Sequence, residues 1–218
     1  MYNKKINANV IVCQPKMCFV SLHINTFLAT NKTLVIKSLA ITNITGRDNN
    51  MSIIPTDIKR SLGINISKIC PFSLSRNKSE NHCAHYVSHI MGYELPGATC
   101  KNATWADKQK PAKGATIRVN DLFSASPVTD LLANKPATLT ECLIFVTISS
   151  NVKKVGCAFE METHPKKHVG ILSQGKVWNY SNSHNQVVAD MLSLFQSKFS
   201  NTYKTTGNTV EFYYGKFI

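Results

Sequence analysis

The chain has 218 residues, of which 43% are hydrophobic and 17% are charged, so it is long and apolar enough for one well-buried domain. This composition excludes a largely disordered chain. Lysine and arginine number 25 against 12 aspartates and glutamates, a net charge of +13 that favours anionic partners.

The distribution of basic, cysteine and apolar residues excludes several classes. The basic residues are scattered and not interleaved with aromatics, which disfavours a dedicated nucleic-acid-binding protein. The seven cysteines form no CxxC pair, which argues against a zinc ribbon, and their odd number leaves one thiol unpaired. No apolar run is long enough for a membrane span, and no convincing signal-peptide cleavage site follows the basic N-terminus.

The first half of the chain predicts two helices. Residues 1–50 form a poorly defined N-terminal extension, and residues 51–218 are assigned to one domain. Residues 56–63 predict a short helix that ends at a glycine, and residues 82–91 predict a second helix closed by Gly92. Residues 93–137 are expected to be mostly irregular, with a short strand at 116–119.

Strands dominate the second half. The continuous apolar run CLIFVTI at 142–148 predicts a buried strand, and the strands at 168–172 and 176–181 flank a hairpin turn. Residues 188–199 have a helical period, and residues 209–214 predict a closing strand. Helices followed by an antiparallel sheet define an α+β fold.

The helix at 82–91 separates its side chains into two groups. On a helical wheel, Cys83 falls within the apolar arc, whereas the rings of His82, His85 and His89 cluster on the far side. A cysteine in the first turn of a helix lies where the thiolate is favoured, with Ser79 or Asn81 available as the cap. An ordinary core cysteine remains an alternative. The histidines are expected to face solvent or a substrate rim, with no metal bound, because no carboxylate lies near them.

A second motif, HVGILSQGKVWNYS, begins with His168 at the start of a strand. Cysteine on a helix followed by histidine on a strand is the chain order of papain-like hydrolases. The stretch NHCAHYVSHIMG resembles the nucleophile helix, and HVGILSQGKVWNYS the histidine hairpin, of NlpC-type cell-wall peptidases and amidases. The first stretch is also similar to the cysteine box of lecithin:retinol acyltransferase-like enzymes. Those enzymes place histidine before cysteine, so the order here favours the peptidase branch.

The resemblance implies a papain-like fold in which the nucleophile helix packs on a central antiparallel β-sheet. It also implies hydrolysis of amide bonds in peptidoglycan stem peptides or cross-links, with Cys83 as the nucleophile, His168 as its base and no cofactor. Asn81-His82-Cys83 replaces the family's usual Asp-Cys start, which leaves the substrate open. A secreted or injected antibacterial effector or a phage lysis enzyme is expected, acting at the bacterial envelope, with an acidic immunity or inhibitor protein as a partner.

The third catalytic residue depends on the register of the hairpin. A two-residue loop at Gln174-Gly175 pairs Ser173 with Lys176 and places Asn179 on the sheet face of His168. Asn179 also falls where the resembled family carries its polar third residue. A three-residue loop would turn Asn179 to the other face and favour His184.

Two rival functions remain open at this point. One is a papain-like acyltransferase, in which a lipid or amine replaces water as the acceptor. The other is a non-catalytic basic binding protein in which Cys83 and His168 are core residues.

Overall fold

The structure, a computed structural model, describes residues 54–218. The chain divides into two units, Met1–Met51 and Ser52–Ile218. The predictions made for residues 1–50 lie outside the described residues.

Four α-helices and several short 3₁₀-helices occupy the described part of the chain. The α-helices are α1 (Cys83–Met91), α2 (Trp105–Lys108), α3 (Val119–Ala125) and α4 (Leu192–Tyr203). Gly92 ends α1 in the left-handed conformation with φ 71°, as the sequence predicts. The 3₁₀-helices are Thr56–Ser61, Ile66–Lys68, Ser73–Arg76, Cys100–Asn102, Leu132–Asn134 and Ser149–Asn151.

A six-stranded sheet runs through the domain, and each neighbouring pair in it is antiparallel. Its strand order is β1-β8-β2-β5-β6-β7, and β3 and β4 form a separate hairpin. The mixed α+β fold with an antiparallel sheet is therefore confirmed. The strands are β1 (Thr129–Leu131), β2 (Cys142–Ile148), β3 (Val152–Val155), β4 (Ala158–Met161), β5 (Lys167–Ser173), β6 (Lys176–Ser181), β7 (Gln186–Met191) and β8 (Val210–Gly215).

An apolar cluster covers each face of the sheet. On one face, Cys83, Ala84 and Tyr86 of α1 pack with Val169 and Ile171 of β5. On the other face, Phe195 and Phe199 of α4 pack with residues of β2, β5 and β6. Successive residues of a strand point to opposite faces, so β5 contributes to both clusters.

Two predicted elements are wrong. Residues 116–119 do not form a strand, because Thr116 makes only an isolated bridge to Thr99 and Val119 begins α3. The helix predicted over residues 188–199 is wrong in its first four residues, because β7 runs to Met191 and α4 begins at Leu192. Pairing of β7 with β6 overrides the local periodicity there.

Helices able to cross a membrane are absent from residues 54–218, where every helix is too short or too polar.

Candidate active site and metal-ligand cluster

The β5–β6 hairpin has the two-residue loop. Ser173 pairs with Lys176, and both loop residues have positive φ, 51° at Gln174 and 75° at Gly175. Two positive φ values define a type I′ turn, whose twist matches that of the flanking strands. The register expected from the sequence is thus confirmed, and the three-residue loop that would favour His184 is excluded.

This register brings His168 and Asn179 together. The Nε2 atom of His168 lies 3.1 Å from Oδ1 of Asn179, and both side chains are buried. The amide is held from its other end, because Nδ2 of Asn179 donates to the carbonyl of Val177 at 3.1 Å and to Asp190 at 3.4 Å. An amide oxygen only accepts, so Nε2 of His168 carries the proton and Nδ1 holds a lone pair in the neutral ring. A base acting through Nδ1 needs this tautomer.

Apolar side chains enclose the His168 ring. Its centroid lies 4.4 Å from that of Phe199 and 6.0 Å from that of Phe195, both on α4. Burial lowers the pKa of His168 to about 4, although the hydrogen bond with Asn179 acts in the opposite direction. His168 is therefore neutral at pH 7.

Cys83 is the first residue of α1, as a helical nucleophile requires. Its backbone N–H donates to Oδ1 of Asn81 at 3.1 Å, while the N-cap position itself is held by His82, neither of the two expected residues. Its side chain is only 1% exposed. Burial raises the pKa of the Cys83 thiol to about 11, against the lowering effect of a hydrogen bond from the backbone N–H of Val169.

The structure does not bring Cys83 and His168 into hydrogen-bonding contact. Cys83 packs in the α1-side cluster with Val169, whereas Val146, the strand neighbour of His168, belongs to the α4-side cluster. The thiol of Cys83 thus packs against one face of β5, whereas the imidazole of His168 projects from the other face. Within residues 54–218, no hydrogen bond joins the two side chains. The thiol nevertheless meets the N–H of Val169, which belongs to the peptide bond that follows His168.

His184, the rival third residue, lies in the loop after β6. Its Nδ1 atom is 2.9 Å from Oγ of Ser181 and 3.3 Å from Oγ of Ser183. These hydrogen bonds thus join His184 to the two serines and not to His168. Asn179 alone of the two candidates contacts His168.

The expectation that the histidines of α1 face solvent or a substrate rim is wrong. His82 and His85 are 2% and 0% exposed, and His89 is half-buried. The wheel separates these rings correctly from the apolar arc, but the segments on either side of α1 along the chain fold over them.

Beneath that cover, His85 and His89 meet two cysteines. The candidate ligand atoms of Cys70, His85, His89 and Cys100 all lie within 4.8 Å of one another. Both thiols are free and buried. The expectation of no metal-ligand set rested on the absence of carboxylates, and it overlooked ligands that come from segments before and after the helix. The spacing of His85 and His89 by one helical turn was the local signal for such a set.

No family model, curated protein or solved structure matches this chain.

Proposed function

We propose that this chain is a cysteine-dependent amide hydrolase with Cys83 as the nucleophile, His168 as the base and Asn179 as the residue that orients the base. The observation that carries the proposal is the hydrogen bond between Nε2 of His168 and Oδ1 of Asn179. It fixes the ring in the tautomer that presents a lone pair at Nδ1. Supporting features are the position of Cys83 in the first turn of α1 and its contact with the strand that carries His168.

In the proposed reaction, Nδ1 of His168 accepts the thiol proton while the sulfur attacks the carbonyl carbon of the substrate amide. The backbone N–H groups in the first turn of α1 stabilise the tetrahedral oxyanion. Collapse breaks the C–N bond, and the amine leaves with the proton from Nδ1. Water, deprotonated by the same ring, then cleaves the thioester and restores the thiol.

Turnover requires a rearrangement that brings Nδ1 to the sulfur. The hydrogen-bonded ladder between β5 and β6 covers Ile171–Ser173 and their partners, and it does not reach His168. The end of β5 that carries the histidine is therefore not held by β6, but β2 holds it, because His168 pairs with Val146 and Lys167 with Thr147. The rearrangement has to break this pairing.

Peptide amides of bacterial peptidoglycan are the proposed substrates. The net charge of +13 favours encounter with an anionic envelope, which fits a secreted or injected wall hydrolase. An acidic immunity or inhibitor protein would be attracted by the same charge. A papain-like fold is part of this proposal.

A second candidate, a non-catalytic basic binding protein, is favoured by one observation. Cys83 and His168 are 1% and 5% exposed and pack on opposite faces of the sheet, as ordinary core residues do.

Incubation with purified peptidoglycan, followed by mass spectrometry of the released fragments, separates the two candidates. The hydrolase predicts new peptide termini with the native chain and with Cys142→Ala, a control that removes another buried free thiol. The hydrolase predicts no new peptide termini with Cys83→Ala. Equal binding to the wall by all three proteins without cleavage would favour the binding protein.

A further inference from the structure

The four residues Cys70, His85, His89 and Cys100 come from three separate segments. His85 and His89 project from the same face of α1, one turn apart. Cys70 follows the 3₁₀-helix Ile66–Lys68, and Cys100 begins the 3₁₀-helix Cys100–Asn102. Their ligand atoms converge within 4.8 Å of one another, although Cys70 and Cys100 lie outside α1, one before it and one after it.

The distances suit a four-coordinate ion. Sγ of Cys100 lies 3.6 Å from Nε2 of His89. A sulfur at about 2.3 Å and a nitrogen at about 2.0–2.1 Å from a tetrahedral ion are separated by roughly 3.6 Å.

A buried nitrogen without a partner points into the cluster. Nε2 of His85 is inaccessible to solvent and makes no hydrogen bond. Buried polar atoms of this kind are rare, because an unpaired group loses its hydration without compensation. The missing partner is therefore to be found among the cluster's own ligands or an ion that they bind.

A chain of hydrogen bonds prepares that nitrogen for a metal. Nε2 of His82 lies 3.0 Å from the carbonyl oxygen of Asn77, and Nδ1 of His82 lies 3.2 Å from Nδ1 of His85. Because a carbonyl only accepts, the proton of neutral His82 is on Nε2, and its Nδ1 accepts from Nδ1–H of His85. This leaves a lone pair on Nε2 of His85. Metal-binding histidines are commonly oriented in this way through their other ring nitrogen.

Each of the two sulfurs accepts a hydrogen bond from a backbone N–H group. The backbone N–H of Phe72 donates to Sγ of Cys70 at 3.4 Å, and the N–H of Ala115 donates to Sγ of Cys100 at 3.2 Å. Hydrogen bonds from backbone N–H groups favour a negatively charged sulfur, and thiolate is the form that binds a metal. The set contains no lysine or arginine. Two buried thiolates would therefore be unfavourable unless a cation lay between them.

We propose that Cys70, His85, His89 and Cys100 bind a zinc ion in a structural site. A set of two thiolates and two imidazoles selects zinc over magnesium or calcium, which prefer oxygen ligands. Four protein ligands fill the coordination sphere, so the ion supports the fold and leaves no position for a reacting water. The site ties α1 to the segments before and after it, and it does not depend on the proposed hydrolase activity.

Metal content of the full-length chain tests the site. After purification without a histidine tag, from cells supplied with zinc, we expect about one zinc per chain by plasma mass spectrometry. His89→Ala and Cys100→Ser should lose most of it. Cys142→Ser and His184→Ala are controls that remove the same residue types outside the cluster and should keep it.

Replacing zinc by cobalt identifies the ligand types spectroscopically in the native chain. This measurement tests the site even if a variant fails to fold. A tetrahedral site with two thiolates predicts intense visible bands and a thiolate-to-cobalt charge-transfer band in the near ultraviolet. Absence of zinc and cobalt binding by the native chain would overturn the proposal. Zinc retained at full stoichiometry by His89→Ala and Cys100→Ser, or a Cys70–Cys100 disulfide found by peptide mapping, would overturn it as well.

Discussion

Asn179 shows how a single residue fixes the chemistry of its neighbour. Its Nδ2 atom is bound by the carbonyl of Val177, so its Oδ1 faces His168 and the amide cannot turn without losing both hydrogen bonds. His184 is engaged by serines of its own loop. Of the two candidates, Asn179 is therefore the one that contacts His168.

We expect Asn179→Ala to lower turnover of peptidoglycan peptides by on the order of tenfold or more, because the His168 ring loses its orientation and tautomer. His184→Ala should have little effect. Initial rates of fragment release measure both variants, and the reverse ranking would transfer the role to His184.

His168 also links stability to pH. Its folded pKa of about 4 lies below its ordinary value of 6.5, so the unfolded chain binds more protons between these values. Stability should be fully present above pH 6.5 and should fall as the pH drops towards 4, by up to on the order of 3 kcal/mol. Asp190 and Lys198 also act on this ring, in opposite directions.

Urea unfolding between pH 4 and pH 7 measures this effect. His168→Gln should show a shallower loss of unfolding free energy than the native chain, because the titrating ring is gone. His184→Ala should keep the native slope. Identical pH profiles for the native chain and His168→Gln would contradict the burial of a neutral ring.

At the scale of elements, the hairpin was predictable to the register, and the metal-ligand cluster was not. The turn at Gln174-Gly175 and the alternating strands around it are local signals. The cluster forms because the segments that carry Cys70 and Cys100 pack against α1. No local sequence pattern predicts that packing. The strand β7 was missed for the same reason, since its pairing with β6 is a tertiary contact.

Gly170 tests the packing of the hairpin element. A Cβ atom at this position would lie 2.5 Å from Cγ1 of Val177 and 3.1 Å from Cβ of Asn179. We expect Gly170→Ala to lower the free energy of unfolding by about 1–3 kcal/mol through overpacking. It should also lower turnover by displacing Asn179. Chemical denaturation measures the first effect, and unchanged stability would show that β5 and β6 can separate without cost.

At the scale of the whole molecule, the fold class followed from the sequence, while the burial of the α1 histidines did not. The order of apolar runs predicted an α+β domain with an antiparallel sheet. The wheel of α1 placed three rings opposite the core, but only the path of the flanking segments decides whether that face is covered. Composition and net charge predict anionic partners. They do not predict a reaction, which has to be inferred from the side chains of the site.

Zinc removal should weaken the whole domain, because the proposed site joins three segments. We expect a strong chelator to lower the melting temperature of the native chain by roughly 5–10 °C. Scanning calorimetry should show no such shift for His89→Ala, which has no zinc to lose. A native chain that melts at the same temperature with and without chelator would contradict a structural role for the ion.

The proposed hydrolase requires Cys83 and His168 to act together, although Cys83 packs against one face of β5 and His168 projects from the other. The most direct measurement is the rate of peptidoglycan cleavage by Cys83→Ala, His168→Ala and the double variant, with folding checked by circular dichroism. If the two residues act as one catalytic unit, we expect each single substitution to lower the rate by at least about a thousandfold and the double variant to be no worse. Cleavage at near-native rate by folded His168→Ala would contradict it.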